Sequence, residues 1–195
     1  MQPRVTRQLS LFGVEAAPPA PADLEGLLAG PGQVVRMGGT ARVSVVVDAP
    51  WRARLLVAEC RLRGLSATCV ATVEEHIGVR TAYAAVLAPL GTAWLHGAVK
   101  TPPAGFWLDG RRLRLWVIAA GLRDELGYVL RLGTNDEPTW GPAGAALAAL
   151  GLAAVLLGPR AGGPAYRLTG RRRLARLAEI VGDPPAPAPP GAWPP

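Results

Sequence analysis

The sequence predicts an α+β protein made of two tandem αββαββα units with antiparallel sheets. Three observations carry that expectation: landmarks recur in a fixed order, short β-branched runs flank turn signals, and amphipathic segments of helical period stand between them. Gly32 and Gly121 close two Leu/Ala-rich nonapeptides, LEGLLAGPG and LRLWVIAAG, and lie 89 residues apart. Trp51 and Trp140 are again 89 apart, Gly64 and Gly151 are 87 apart, and Thr81 and Thr169 are 88 apart.

Each unit opens with a short helix, about 23–31 and 111–120, that stops at glycine. In the first unit a hairpin follows, QVVRM and ARVSVVV about a Gly-Gly turn; in the second, GLRDELG leads into YVLRLG. Next comes an amphipathic helix, 51–63 or 140–150. Two strands follow it, 66–74 with 77–83 and 153–158 with 165–169, and helices over 84–97 and 171–181 close the units. Residues 23–98 and 111–182 are thus the two repeats, joined by a connector over 99–110. Ahead of them, 1–15 is a separate peptide and AAPPAPA (16–22) a Pro/Ala-rich linker. DPPAPAPPGAWPP (183–195) is too proline-rich for a helix or a central strand and is expected to be a disordered tail, with Trp193 a candidate docking residue.

Strand alternation separates a dry face from a wet one. Val43, Val45 and Val47 share one side of ARVSVVV, with Arg42 and Ser44 on the other. The same reading places Arg36, Arg42, Arg80, Arg131 and Arg167 on the polar face, opposite the helices.

Half of the 195 residues are apolar, which excludes a largely disordered chain, and no run of eighteen apolar residues suggests a membrane span. The start has no long apolar segment followed by a small-residue cleavage site, so no secretion signal is read there and a soluble, cytoplasmic, nucleoid-associated protein is expected. The net charge is +7, nearly all of the positive charge is arginine, and Lys100 is the only lysine. That balance favours an anionic partner. Cys60 and Cys69 have no metal spacing and read as buried free thiols, while His76 and His96 stand alone. Asp109-Gly110 and Asp124-Glu125 read as cap and turn chemistry.

The repeated pattern resembles the LAGLIDADG homing-endonuclease fold and, within it, the N-terminal part of the WhiA sporulation regulators. Leu24, Gly26, Leu27, Leu28 and Gly32 match the family motif in the first unit, and Leu113, Ala119 and Gly121 match it in the second. AYRLTGRRRLARLAEIVG (165–182) is similar to the family's closing strand and helix. The resemblance implies a pseudo-dimer in one chain, with the first helices paired and the two sheets forming a saddle over double-stranded DNA; a monomer is expected. The family's enzymes hold divalent metal with an acidic residue near the end of each motif, and hard cations need such oxygen ligands. Here those positions are Pro31 and Ala120, with Ala29 and Ile118 at the earlier acidic positions. No catalytic residue, metal ligand or cofactor is therefore expected.

Gln8-Leu9-Ser10-Leu11-Phe12 looks like the pentapeptide that binds the bacterial β sliding clamp. By that resemblance Leu11 and Phe12 would fill an apolar pocket, Leu9 would pack beside them and Gln8 would hydrogen-bond. The expectation is a non-catalytic accessory of DNA replication or repair, held to the clamp by this peptide and touching DNA with its arginines. Two alternatives stay open: a protein-interaction scaffold on the same fold, and a divergent nuclease using acids such as Glu74 or Glu75.

Overall fold

A computed structural model describes residues 13–72 and 76–195. The first repeat begins with a 3-10 turn, Pro21–Leu24, that runs into α1 (Glu25–Ala29). It continues with β1 (Gln33–Met37), β2 (Thr40–Val47), α2 (Pro50–Leu62), β3 (Ala67–Ala71) and β4 (Ile77–Thr81). A second 3-10 turn, Ala85–Leu87, leads into α3 (Ala88–Trp94), shorter than the helix expected over 84–97. A two-stranded hairpin that the sequence did not suggest, β5 (Leu95–His96) with β6 (Val99–Lys100), runs from the end of the first repeat into the connector. The second repeat holds α4 (Gly110–Ala120), β7 (Gly121–Asp124), β8 (Gly127–Arg131), α5 (Glu137–Ala149), β9 (Val155–Leu157), β10 (Ala165–Leu168) and α6 (Arg171–Val181).

The duplication is explicit in the topology. One sheet runs β1-β2-β4-β3 and the other β7-β8-β10-β9, both antiparallel throughout, which is the same order in each repeat. Gly64 and Gly151 both take a left-handed conformation, φ +70° and +75°, just past α2 and α5. Only glycine does this without strain, which explains the matching residue at each helix end. That spacing of 87 also corrects one of the landmarks. Carried to the helices it sets Trp51 opposite Pro138, so Trp51 and Trp140 are not equivalent positions. Their roles differ accordingly: Trp51 lies under the Arg52 guanidinium, whereas the Trp140 indole donates to the Gly133 carbonyl at 3.0 Å.

One apolar core runs through both repeats, with Leu28, Leu56, Trp94, Trp116, Ile118 and Leu130 among its fully buried members. Its centre is the crossing of α1 and α4. A methyl on Gly26 would lie 1.8 Å from the Arg112 carbonyl oxygen, and one on Gly30 would lie 2.6 Å from the Trp116 indole. The motif glycines are therefore the condition for two helices to touch backbone to side chain. Glu25 and Arg112 lock that crossing with an ion pair at 2.8 Å, backed by Asp109, the N-cap of α4, at 3.0 Å.

The repeats part company at their last helices. Helix α3 packs on β1 and β2, whereas α6 packs along α4. The tail takes up the space beside the second sheet: the Tyr128 hydroxyl donates to the Ala192 carbonyl at 3.0 Å, and the Trp193 indole donates to the Gly182 carbonyl at 2.8 Å. Trp193 is buried, with the Arg114 guanidinium over its ring. The tail expected to be disordered is thus docked. A large apolar ring with a satisfied N–H outweighs the extended bias of the surrounding prolines.

Candidate nucleic-acid interface

Strand register fixes which side chains share the face away from the helices. In the first sheet Val35 faces Arg42, Ser44 faces Arg80, and Arg80 faces Thr68, while Val46, Gly78 and Val70 form the next rung. Arg42, Ser44 and Arg80 line a groove of about 490 Å³ there. The Arg42 guanidinium lies 4.8 Å from the centre of the Tyr83 ring, which orients it. No carboxylate pairs with Arg42 or Arg80 among the described residues.

Arg36 is not part of this face. It pairs across the ladder with buried Ala41, and its aliphatic stem packs beside Gly91 of α3. Its phase is that of Val34, on the helix side. The sequence misplaced it because alternation in QVVRM is ambiguous when only Val34 of the strand is buried.

The second sheet brings Arg131 and Arg167 to the corresponding face, but both are engaged. Arg167 donates from Nε to Asp124 at 2.8 Å, and Arg131 reaches Asp48 of the other repeat at 3.4 Å. Between them lies a separate apolar cluster of Val129, Leu157 and Ala165 with Leu122. This face is therefore apolar with arginines at its margin. Asp124 also accepts from the Leu126 and Gly127 amides, the turn chemistry expected of it.

At the C-terminal ends of α1 and α4, a recess of about 280 Å³ is lined by Pro31, Asp48, His76, Ala119, Ala120 and Arg131. Two side chains that sequence pattern does not single out organise its surroundings. Lys100 is buried and donates to the Gly30 and Gly32 carbonyls at 3.0 and 2.7 Å, while pairing with Asp136 at 2.7 Å. Arg52 is buried and donates to Ile118 at 2.7 Å, to Val117 at 3.3 Å and to Gly121 at 2.5 Å, with Asp48 beside it at 2.9 Å. Each motif helix thus ends on a fixed side-chain cation, which complements its dipole. Burial pushes the Lys100 ammonium below its ordinary pKa, and Asp136 opposes the shift. The lone lysine of the chain and an arginine early in α2 were the available signals, and neither has a pattern that separates it from surface charge.

The divalent metal that such a fold implies does not fit these residues. Pro31 and Ala120 have no oxygen donor in their side chains, and Arg52 already binds carbonyls at the end of α4. Asp48 is shared between Arg52 and Arg131. No group of three or more His, Cys, Asp or Glu able to hold a metal occurs among the described residues. Glu74 and Glu75 lie outside the described residues, as do Gln8, Leu9, Ser10, Leu11 and Phe12. Cys60 is buried as expected, and burial pushes its thiol up to about 11; Cys69 is exposed on edge strand β3, against expectation. No helix among the described residues is long and apolar enough to cross a membrane.

No family model matches the chain, and no curated protein matches it. Among solved structures, the homing endonuclease I-WcaI bound to its DNA recognition sequence is similar, at 10% identity with a TM-score of 0.57. The similarity covers 82% of this chain and 78% of that one. The chain therefore has the fold of a LAGLIDADG homing endonuclease, with both repeats present.

Proposed function

We propose that this chain uses a LAGLIDADG-type fold to bind double-stranded DNA without cleaving it, and that its N-terminal peptide tethers it to the β sliding clamp in replication or repair. One observation carries the reading: a DNA-binding architecture is kept whole while the ends of both motif helices lie on Lys100 and Arg52, with Pro31 and Ala120 at the acidic positions. Arg42 and Arg80 are the cations free to meet phosphate on the sheet face. Arg131 and Arg167 would have to exchange Asp48 and Asp124 for phosphate, so they contribute less. Phosphate binding by arginine makes affinity fall steeply with salt.

The clamp part rests on Gln8–Phe12 in the sequence. A short peptide binds modestly alone, and a second attachment to DNA raises overall avidity through effective concentration. The test is capture of the host's β clamp by the full chain beside a Leu11→Ala, Phe12→Ala variant. Binding by the first and not the second is expected; equal binding by both, or none by either, removes the tether.

A scaffold for another protein is the second reading. Val35, Val46, Val70 and Val155 are exposed on the faces of the two sheets away from the helices. Four exposed valines suit an apolar partner better than phosphate. A Val46→Glu, Val70→Glu variant that keeps duplex affinity but loses a protein partner would favour this reading.

A further inference from the structure

We infer that α6 carries a second nucleic-acid contact, a phosphate-backbone surface made by Arg171, Arg172, Arg173 and Arg176. It goes beyond the sheet-face reading and does not depend on it. The four arginines fall within six residues, the first three exposed. No carboxylate pairs with any of them among the described residues. Arg172, Arg173 and Arg176 line an open groove of about 650 Å³ with Gly151, Ala175 and Glu179.

Most of the less exposed cations have structural employment. Lys100, Arg52 and Arg114 satisfy the carbonyl ends of α1, α4 and α6, while Arg63 holds the buried Asp23 and Arg112 the half-buried Glu25. The arginines of α6 are different. Arg176 anchors through Nε to the Leu150 carbonyl and Arg173 through one terminal nitrogen to the Thr169 carbonyl at 3.2 Å, leaving the remaining N–H groups of each fork directed elsewhere. Their guanidinium groups are thereby held ready, while Arg171 and Arg172 have no partner among the described residues. Three cations in the first turn also oppose the helix dipole and each other, so they weaken α6 rather than support it. Leu174, Leu177, Ile180 and Val181 supply the packing that keeps the helix formed.

The chemistry suits a regular row of phosphates. Arg172 and Arg176 stand one helical turn apart on one face, roughly 6 Å along the axis, and guanidinium forks match phosphate oxygens in pairs. Helix α6 packs on α4, behind the sheets, so it faces away from Arg42 and Arg80. That placement on the helix side suits α6 to a second stretch of nucleic acid, separate from one lying on the sheets.

The experiment is fluorescence anisotropy of a labelled 20-base-pair duplex with the full chain, titrated over salt. It compares an Arg171→Gln, Arg172→Gln, Arg173→Gln variant with an Arg42→Gln, Arg80→Gln variant. The α6 variant is expected to lose at least about tenfold in affinity, and its salt slope to fall by about 2–3, near 0.9 for each phosphate no longer neutralised. Unchanged affinity and slope in that variant overturn the inference whatever the sheet variant does. An unchanged sheet variant overturns the sheet-face reading and leaves α6 standing. Absence of duplex binding by the native chain at low salt overturns both. Polyglutamate that displaces the duplex at equal charge concentration overturns nucleic acid as the partner and points to an acidic polypeptide. Should the triple variant lose its helicity, Arg172→Glu alone gives the same reading from a single exposed position.

Discussion

Lys100 gives up its hydration to stand among two carbonyls and Asp136, and the arrangement is stable only while both charges are present. Lys100→Met leaves Asp136 buried with Gln33 as its remaining side-chain partner, at 2.8 Å. The expected loss is about 3–5 kcal/mol in urea denaturation, and Lys100→Met with Asp136→Asn recovers much of it. Equal losses in the single and double variants would contradict the pairing. Cys60 gives a pH test. Its thiol moves from 9.0 to about 11 on burial, so the unfolded chain releases that proton first. The corresponding stability is full below pH 9 and is lost as pH rises to 11, by up to about 2–3 kcal/mol. A Cys60→Ala variant should lack that component of the pH profile. In the folded protein at about pH 8, a thiol reagent should modify Cys69 and spare Cys60. These are side chains whose importance is invisible in sequence: a lone lysine and a helix-face arginine look like surface charge until the fold places carbonyl ends beside them.

At the scale of elements, the helix pair is the joint on which both repeats depend. Gly26→Ala would drive a methyl into the Arg112 carbonyl, with backbone on both sides and no flexible side chain to yield. A loss of at least about 3 kcal/mol is expected, the upper range for overpacking. Gly39→Ala, where an added methyl meets nothing, should stay within about 0.5 kcal/mol. Comparable effects at the two positions would contradict the close crossing. Much of this level was legible in advance, because Gly32 and Gly121, Gly64 and Gly151, and the valines of β2 report local geometry directly. The misreadings have local causes too. Arg36 sits in a strand with one buried residue, Trp51 and Trp140 share a residue type but not a position, and the β5–β6 hairpin is too short to leave a periodic pattern. The docking of Trp193 depends on the Gly182 carbonyl and the Arg114 guanidinium meeting one ring, which no sequence pattern announces.

For the whole molecule, the net charge of +7 overstates what is available to a partner. Arg52, Arg63, Lys100 and Arg112 are buried, and Arg131 and Arg167 are paired on the sheet face. Arg42 and Arg80 on the sheet face are half-buried yet free of carboxylates among the described residues, and α6 carries three exposed arginines in succession, while Arg54, Arg61, Arg123 and Arg160 are exposed singly elsewhere. The tail contributes to the same body, and Trp193→Ala is expected to lower Tm by several degrees through the loss of a buried aromatic ring, about 3 kcal/mol or more. An unchanged Tm would mean that the tail is peripheral. Above all, a two-repeat homing-endonuclease fold is expected here to bind DNA without cutting it. The most direct test incubates excess protein with supercoiled plasmid in Mg²⁺ at low salt, then reads both gel retardation and nicking. Retardation with the plasmid left supercoiled is the predicted result. Nicked circles that disappear in a Glu74→Gln, Glu75→Gln variant, or plasmid that is not retarded at all, would contradict it.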